Sequence, residues 1–443
     1  MRFLELDTNG EFSLTRYLID KIPPYAILSH TWGDDNEEIT FGDIEKDSGK
    51  TKIGTTGYGK IQFCAEQASH DKLQYFWVDT CCIDKSNSSE LSEAINSMFH
   101  WYRNAYICYV YLSDFALPSA NTDDESRPPP WESDFLKSRW FTRSWTLQEL
   151  ISPREVVFFD RNWHKIGTRS TLGRQLVLAT GIPERAYISL ESFSVAQKMS
   201  WASKRMATRV EDIAYSILGI FGVNMPMLYG EGPRAFVRLQ EEIIKKSDDE
   251  SIFAWSVDDK EEEQLLVKKL QDQLNRDLDE RYYYAYPTNA TTAGRLFAPR
   301  PSCFAHCASV RRDAFFWRGP YTLTNKGLEI LTMVFQDPEE SRFEKYMVPL
   351  NCSRDAEVPL AMTMTKCLGY WMRCGIDVMP GEAAAVFKAM EDRGGVKQIY
   401  ISAQWPRHGI QNKGTLNAEL LTDEEGYAIV RFGQQIRIER RYV

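Results

Sequence analysis

The 443-residue sequence predicts an α/β protein: a parallel sheet with flanking helices, followed by a mostly β C-terminal domain. Three observations predict it. Short continuous apolar runs, rich in aromatic and β-branched residues, recur up to residue 160, as buried parallel strands do. Helical apolar spacing fills the gaps between them and gives the order β-α-β-α-β-α-β. After about residue 295 that spacing gives way to strand-like alternation.

The first run is YAIL at 25–28, the second YFWVDTCCID at 75–84, the third AYICYVYLSDF at 105–115 and the fourth EVVFFD at 155–160. Between the first two, Ile61, Cys64, Ala65 and Ala68 recur at helical spacing. Leu91, Ile95, Met98 and Tyr102 repeat the pattern behind Asn87, with Glu90 three residues on, a helix-start signal. Residues 135–150 read as one helix stopped by Pro153. Before it, the proline-rich acidic stretch at 116–134 reads as an exposed loop. Such alternation argues for a right-handed parallel sheet with helices on both faces.

Beyond the fourth strand the chain turns helical. Thr208 and Glu211 have capping-box spacing ahead of Val210, Ile213, Ile217, Leu218 and Phe221. Pro233 suits the first turn of a helix running to about Lys246. DKEEEQLLVKKLQDQL reads as a charged amphipathic helix, and PYTLTNKGLEILTMVF as strands about a turn at Asn325-Lys326-Gly327. The expected organisation is an α/β domain over 1–250, a helical linker over 251–294 and a β-rich domain over 295–443.

Composition narrows the function. The net charge is −9 and the basic residues are scattered, so no nucleic-acid partner is expected. No run of 18 or more apolar residues exists to span a membrane, and no membrane partner is expected. Nine cysteines behind an N-terminus with no apolar signal segment fit reduced thiols and a cytoplasmic location. Cys303/Cys307 and Cys367/Cys374 lack zinc spacing, so no metal site is expected. SGKT at 48–51 is no phosphate-binding loop, because Ile44 stands where that loop needs glycine.

Three polar and aromatic clusters follow three strands. Ser29, His30, Thr31, Trp32 and Gly33 follow the first, Asp79, Cys81, Cys82 and Asp84 close the second, and SRWFTRSWTLQEL at 138–150 follows the third. In a parallel sheet all strand C-termini share one edge, so the clusters should converge there. Trp145 and Glu149, four residues apart, would share a helix face. An indole can stack a flat ring, and a carboxylate can stabilise developing positive charge. The alternative leaves Trp145 a partly exposed aromatic and Glu149 the partner of Arg139 or Arg143. As an edge carboxylate, Glu149 is expected to contribute little to stability. His30 reads as a structural histidine or a base, Asp79 as a helix cap or a site residue. Cys81 or Cys82 with His30 could pair as nucleophile and base, although adjacent cysteines in an apolar strand serve more often as small buried hydrophobes. Trp140 and Trp201 default to the core.

YAILSHTWG, FWVDTCCIDK, RSWTLQEL and YSILGIFGVNMPMLYGEGPRAFVRLQEEI, in that order over roughly residues 20–245, resemble the fungal heterokaryon-incompatibility (HET) domain. GRLFAPRPSCFA and YTLTNKGLEI resemble, more weakly, the region that follows it in many such proteins. The resemblance implies a part in non-self recognition and programmed cell death when unlike hyphae fuse. A remoter likeness is to Toll/interleukin receptor (TIR) domains, which have a flavodoxin-like fold. AILSH is similar to the motif that ends their first strand, and residues 145–150 are similar to their WCLxEL motif. The sequence departs from them in its long proline-rich link, in the loop after the second strand and in Thr146, where the motif has cysteine.

In NAD-cleaving TIR domains the glutamate of WCLxEL is catalytic, and it corresponds to Glu149. The likeness therefore implies that NAD is a substrate and not a resident cofactor. Glu149 would stabilise the ribosyl cation formed as nicotinamide leaves. Ser29, His30, Trp32, Gly33, Asp79 and Trp145 would bind the rest of the substrate. Expected partners are NAD and either further copies of this chain or an upstream recognition protein. The alternative is a TIR-like module without catalysis, which signals by self-association through the same surface.

Overall fold

The computed structural model describes residues 1–6, 10–34, 36–118, 129–256 and 296–313, and beyond them residue 355 and the strands between 322 and 429. The chain divides into two compact units, Met1–Ser192 with Lys204–Ala235, and Phe193–Ser203 with Phe236–Val443.

The first unit is built on seven strands: β1 (Leu4–Leu6), β2 (Phe12–Leu14), β3 (Tyr25–His30), β4 (Tyr75–Trp77), β5 (Ile107–Tyr111), β6 (Val156–Phe159) and β7 (Lys165–Thr168). They lie in the order β2-β1-β4-β3-β5-β6-β7. β3, β4, β5 and β6 are parallel, while β1, β2 and β7 add antiparallel edges. The four parallel strands alone run second, first, third, fourth, which is the flavodoxin-like order. Its switch point falls between the C-terminal ends of β3 and β5, where such folds bind ligands. The edge strands β1, β2 and β7 are too short to show a period in the sequence.

The helices begin with α1 (Phe41–Asp47), α2 (Thr56–His70), α3 (Asp79–Cys82), α4 (Ser88–Asn104), α5 (Glu132–Leu136) and α6 (Thr146–Ile151). The apolar face expected for α2 is buried at Ile61, Cys64, Ala65 and Ala68, and the helix packs on β3 and β4. α4 starts as expected: the Asn87 side chain accepts from the backbone N–H of Ser89 at 3.1 Å and of Glu90 at 3.2 Å. Its buried face holds Ala94, Ile95, Met98, Phe99 and Tyr102.

Two expectations are corrected. The run 75–84 is not one strand. Only Tyr75–Trp77 pairs, and the Val78 carbonyl then accepts from Cys81 N and Cys82 N to turn the chain into α3. Nor is 135–150 one helix. α5, a 3-10 turn at Arg139–Thr142 and α6 replace it. Side chains compete with the helix here. Asp114 accepts from Ser138 Oγ and from Arg139 N, both at 2.7 Å, and Thr146 Oγ1 donates to the Trp140 carbonyl at 2.5 Å.

Later come α7 (Gly173–Thr180), α8 (Val195–Ala202), α9 (Asp212–Tyr215), α10 (Leu218–Phe221) and α11 (Arg234–Lys246), the last directly after Pro233 as expected. Thr208 and Glu211 form no capping box. Glu211 itself immediately precedes α9, and its carboxylate accepts from Gly230 N at 2.8 Å and Gly232 N at 3.0 Å. Both glycines have positive φ, 101° and 59°, a region that glycine enters without steric cost. At Gly219 a Cβ would stand 2.1 Å from Phe99 Cβ, so glycine lets α10 lie against α4.

The second unit is antiparallel where strands are described. β8 (Val310–Arg312), β9 (Thr322–Thr324), β10 (Gly327–Leu331), β11 (Phe335–Gln336), β12 (Lys345–Arg354), β13 (Val358–Cys367), β14 (Tyr370–Val378) and β15 (Gln398–Ile401) form two sheets. One runs β11-β12-β13-β14 with β8 on β12, the other β15-β10-β9. The pairing of β9 with β10 brackets the turn read at 325–327. Residues 119–128 of the proline-rich stretch, 257–294 of the linker and the segment from 430 onward lie outside the described residues.

One buried ion pair fixes the loop that leaves β3. Lys60 of α2, 2% exposed, bonds the Glu38 carboxylate and donates to the Thr31 carbonyl at 3.2 Å, while Gly33 N donates to Glu38 at 2.7 Å. Removing one partner strands a buried charge. Lys60→Met is expected to lower the unfolding free energy by about 3–5 kcal/mol in a denaturant titration, with Lys60→Met/Glu38→Leu recovering part of that loss.

Candidate active site

β3 ends with Ser29 and His30 both buried, an uncommon pair for the last two positions of a central strand. Period-2 alternation sends their side chains to different partners. Ser29 Oγ donates to Glu149 Oε2 at 2.5 Å and accepts from the Trp140 indole N–H at 2.8 Å. Tyr102, whose hydroxyl donates to the Leu28 carbonyl at 2.9 Å, stands beside the Glu149 carboxyl. The chain Trp140–Ser29–Glu149 thus joins β3 to the segment that follows β5.

Glu149 is 7% exposed. Burial pushes its carboxyl up to about 8, and nearby Asp79 adds to the rise, while Ser29, Tyr102 and Arg143 oppose it. The expectation of an edge carboxylate with little effect on stability is therefore corrected. At neutral pH the Glu149 carboxyl is largely protonated.

His30 faces Asp79, with Nε2 3.7 Å from Oδ1, too far for a hydrogen bond. Neither ring nitrogen has a partner among the described residues. Burial holds the imidazole well below its usual range, and Lys60, Lys85 and Arg143 push the same way. It is neutral, and the contact with Asp79 is not an ion pair. Burial lifts the Asp79 carboxyl as well, against Lys85 and the Trp32 N–H.

Trp32 is 42% exposed at the mouth of this edge. Its indole N–H donates to Asp79 Oδ2 at 2.8 Å, and the Lys85 ammonium sits 3.7 Å from its ring centroid. Ser29, His30, Trp32, Asp79 and Glu149 are thus brought to one edge. Gly33 is engaged with Glu38. Trp145 immediately precedes α6 with helical backbone angles and stands near Asp212, while Glu149 of α6 is engaged by Ser29. Cys81 and Cys82 are buried. Their thiols are raised, Cys82 to about 12, and Cys81 donates to the Ile39 carbonyl at 3.2 Å. They pack as small hydrophobes and are poor nucleophiles.

α6 is short but pinned at both ends. Arg205 Nη1 donates to the Arg143 carbonyl at 2.8 Å and to Thr146 Oγ1 at 2.9 Å. Arg169 donates to the carbonyls of Leu150, Pro153 and Arg154 at 3.0, 2.8 and 2.7 Å. Sequence reasoning passed over Trp140, Tyr102, Arg205 and Arg169. Only the polar tips of Trp140 and Tyr102, set among apolar neighbours, hinted at them.

The family model described as Heterokaryon incompatibility protein (HET) matches residues 25–125, which carry β3, β4, β5 and the Ser29–Trp32 cluster. This segment is a HET domain. A domain of unknown function (DUF8212) matches residues 234–318. The chain is 52% identical over 249 residues to the vegetative incompatibility protein HET-E-1 of Podospora anserina, covering 55% of this chain and 18% of that protein's length. No solved structure matches the chain. Among the described residues no helix is long and apolar enough to cross a membrane, and no group of three His, Cys, Asp or Glu side chains could hold a metal. Glu149 lies beyond the matched HET segment, and Ser29 within it reaches that carboxyl.

The raised Glu149 carboxyl makes stability depend on pH with a definite sign. The unfolded chain releases this proton near 4.5, while the folded chain keeps it until about 8. Folding therefore takes up a proton in that window, and stability falls as pH rises through it. Glu149→Gln, neutral throughout, is expected to melt above the wild type at pH 8 and to lose that advantage near pH 4.5. A gap independent of pH in calorimetric melts would contradict a buried acid.

Proposed function

We propose that this protein cleaves the nicotinamide–ribose bond of NAD and acts as a cytoplasmic cell-death effector in heterokaryon incompatibility. The observation that carries the reading is the buried Glu149 carboxyl, bonded to Ser29 at the switch point of a flavodoxin-like sheet. The sequence likeness of residues 145–150 to the TIR motif supports it, and the similarity to an incompatibility protein supports the biological setting.

In the proposed reaction the C1′–N bond breaks and its electron pair stays on nicotinamide. The ribosyl cation left behind lies beside the Glu149 carboxylate. Water then adds to C1′ and loses a proton, giving ADP-ribose; attack by the adenine of the same molecule would give a cyclic form instead. The carboxyl must be ionised to stabilise the cation, and the positive pyridinium of bound NAD favours ionisation. Ser29 orients the carboxyl, and the half-exposed Trp32 offers a face for a flat ring. Assembly of further copies, or an upstream recognition protein, would switch the activity on. We assign regulation, not catalysis, to the region after residue 250.

The competing reading is a self-association module without catalysis. The exposed apolar side chains of Ile188, Leu178 and Val210 favour it, since such groups suit a protein interface. A nicotinamide-release assay over a range of protein concentrations separates the two. Release is expected, rising steeply with concentration, and Glu149→Gln is expected to lower it on the order of 100-fold. kcat/KM is expected to rise with pH and level off above about 8, following ionisation of the free enzyme's acid. No release at any concentration gives the self-association reading the field.

A further inference from the structure

We propose that Arg143 is the anion-recognition residue of the Ser29–Glu149 site, taking the diphosphate of a dinucleotide, with Lys85 as a second cation. The choice of ligand rests on the NAD reading; the anion site itself rests on the geometry.

Three other cations near this edge are engaged elsewhere. Lys60 is held by Glu38, Arg205 by the Arg143 carbonyl and Thr146, and Arg169 by three carbonyls beyond α6. The Arg143 guanidinium has no acceptor among the described residues. Its backbone is fixed in extended form, with φ −78° and ψ 139°, in a bridge to Met206, and its carbonyl accepts from Arg205 and from Thr146 Oγ1 at 3.0 Å. A free fork on a rigid base is what bidentate phosphate binding needs.

A second observation points to a ligand at the same place. The His30 side chain is 1% exposed, yet neither ring nitrogen has a hydrogen-bond partner among the described residues. Buried polar groups left unpaired are costly, and a bound polar group would satisfy them. His30 and Glu149 both feel the Arg143 charge. With both of them neutral and Lys60 balanced by Glu38, Lys85, whose ammonium lies 4.0 Å from Asp79 Oδ2, and Arg143 face the single carboxylate of Asp79. The local charge is positive, which favours an anion.

The test is calorimetric titration of the full chain with ADP-ribose and with adenosine, which lacks phosphate. Arg143→Gln is expected to weaken ADP-ribose about 10- to 100-fold, the scale of a charge-assisted contact, and to leave adenosine unchanged. Arg143→Lys is expected to fall between. Added NaCl should weaken ADP-ribose binding more in the wild type than in Arg143→Gln. Melting should hold, because the structural contacts of residue 143 are made by its backbone. The proposal is overturned if the wild type binds no ADP-ribose, if Arg143→Gln binds it as tightly, or if adenosine binding falls equally. Binding of ADP-ribose that depends on Arg143, without nicotinamide release from NAD, would support the anion site and defeat the cleavage reading.

Discussion

The hydrogen bond from Ser29 to Glu149 is the constraint on which the rest of this site depends. It links the end of the central strand to a helix 120 residues later, and it does so in a buried environment. A carboxyl there could not be held without a donor, and Ser29 supplies one. Trp140 then fixes Ser29 from the other side, so the hydroxyl has both its donor and its acceptor roles filled. Each member stands on a different element: β3, the 3-10 turn and α6.

Around this chain the protein separates structural charge from available charge. Lys60 and Glu38 neutralise one another in the interior and hold the loop after β3. Arg205 and Arg169 spend their donors on backbone carbonyls at the ends of α6. What is left at the mouth is Asp79, Lys85 with Trp32, and Arg143. The imidazole between them is kept neutral by burial and by the surrounding cations, so it offers one donor and one acceptor instead of a charge.

Much of this was legible in the sequence, because the signals were local and periodic. The runs at 25–28 and 155–160 and the helical spacings of α2 and α4 are simple hydrophobic patterns, and they settle the order of strands and helices along the chain. Convergence of Ser29 and Glu149 follows from that order alone. The run 75–84 misled because cysteines that pack inside a turn look like strand residues. The span 135–150 misled because Asp114, far back in the chain, competes for its backbone. The burial of Glu149 was not legible either. An isolated carboxylate in a sequence carries no sign of the Trp, Tyr and Ser that will surround it, and so the residue reads as an edge group when it is an interior acid.

α6 has six residues, well short of the ~12 at which an isolated helix begins to hold itself in water. Its order is therefore borrowed from Arg169 and Arg205, which reach back from 15 to 62 positions downstream of the carbonyls they grip. The stretch by which the HET domain is recognised, 25–125, contains the serine but neither the glutamate nor the two arginines that place it. The part of the chain that identifies the domain and the part that completes its site are different segments. A polypeptide ending between Leu150 and Arg169 would carry every motif around the carboxylate and still lack the means to put it in position.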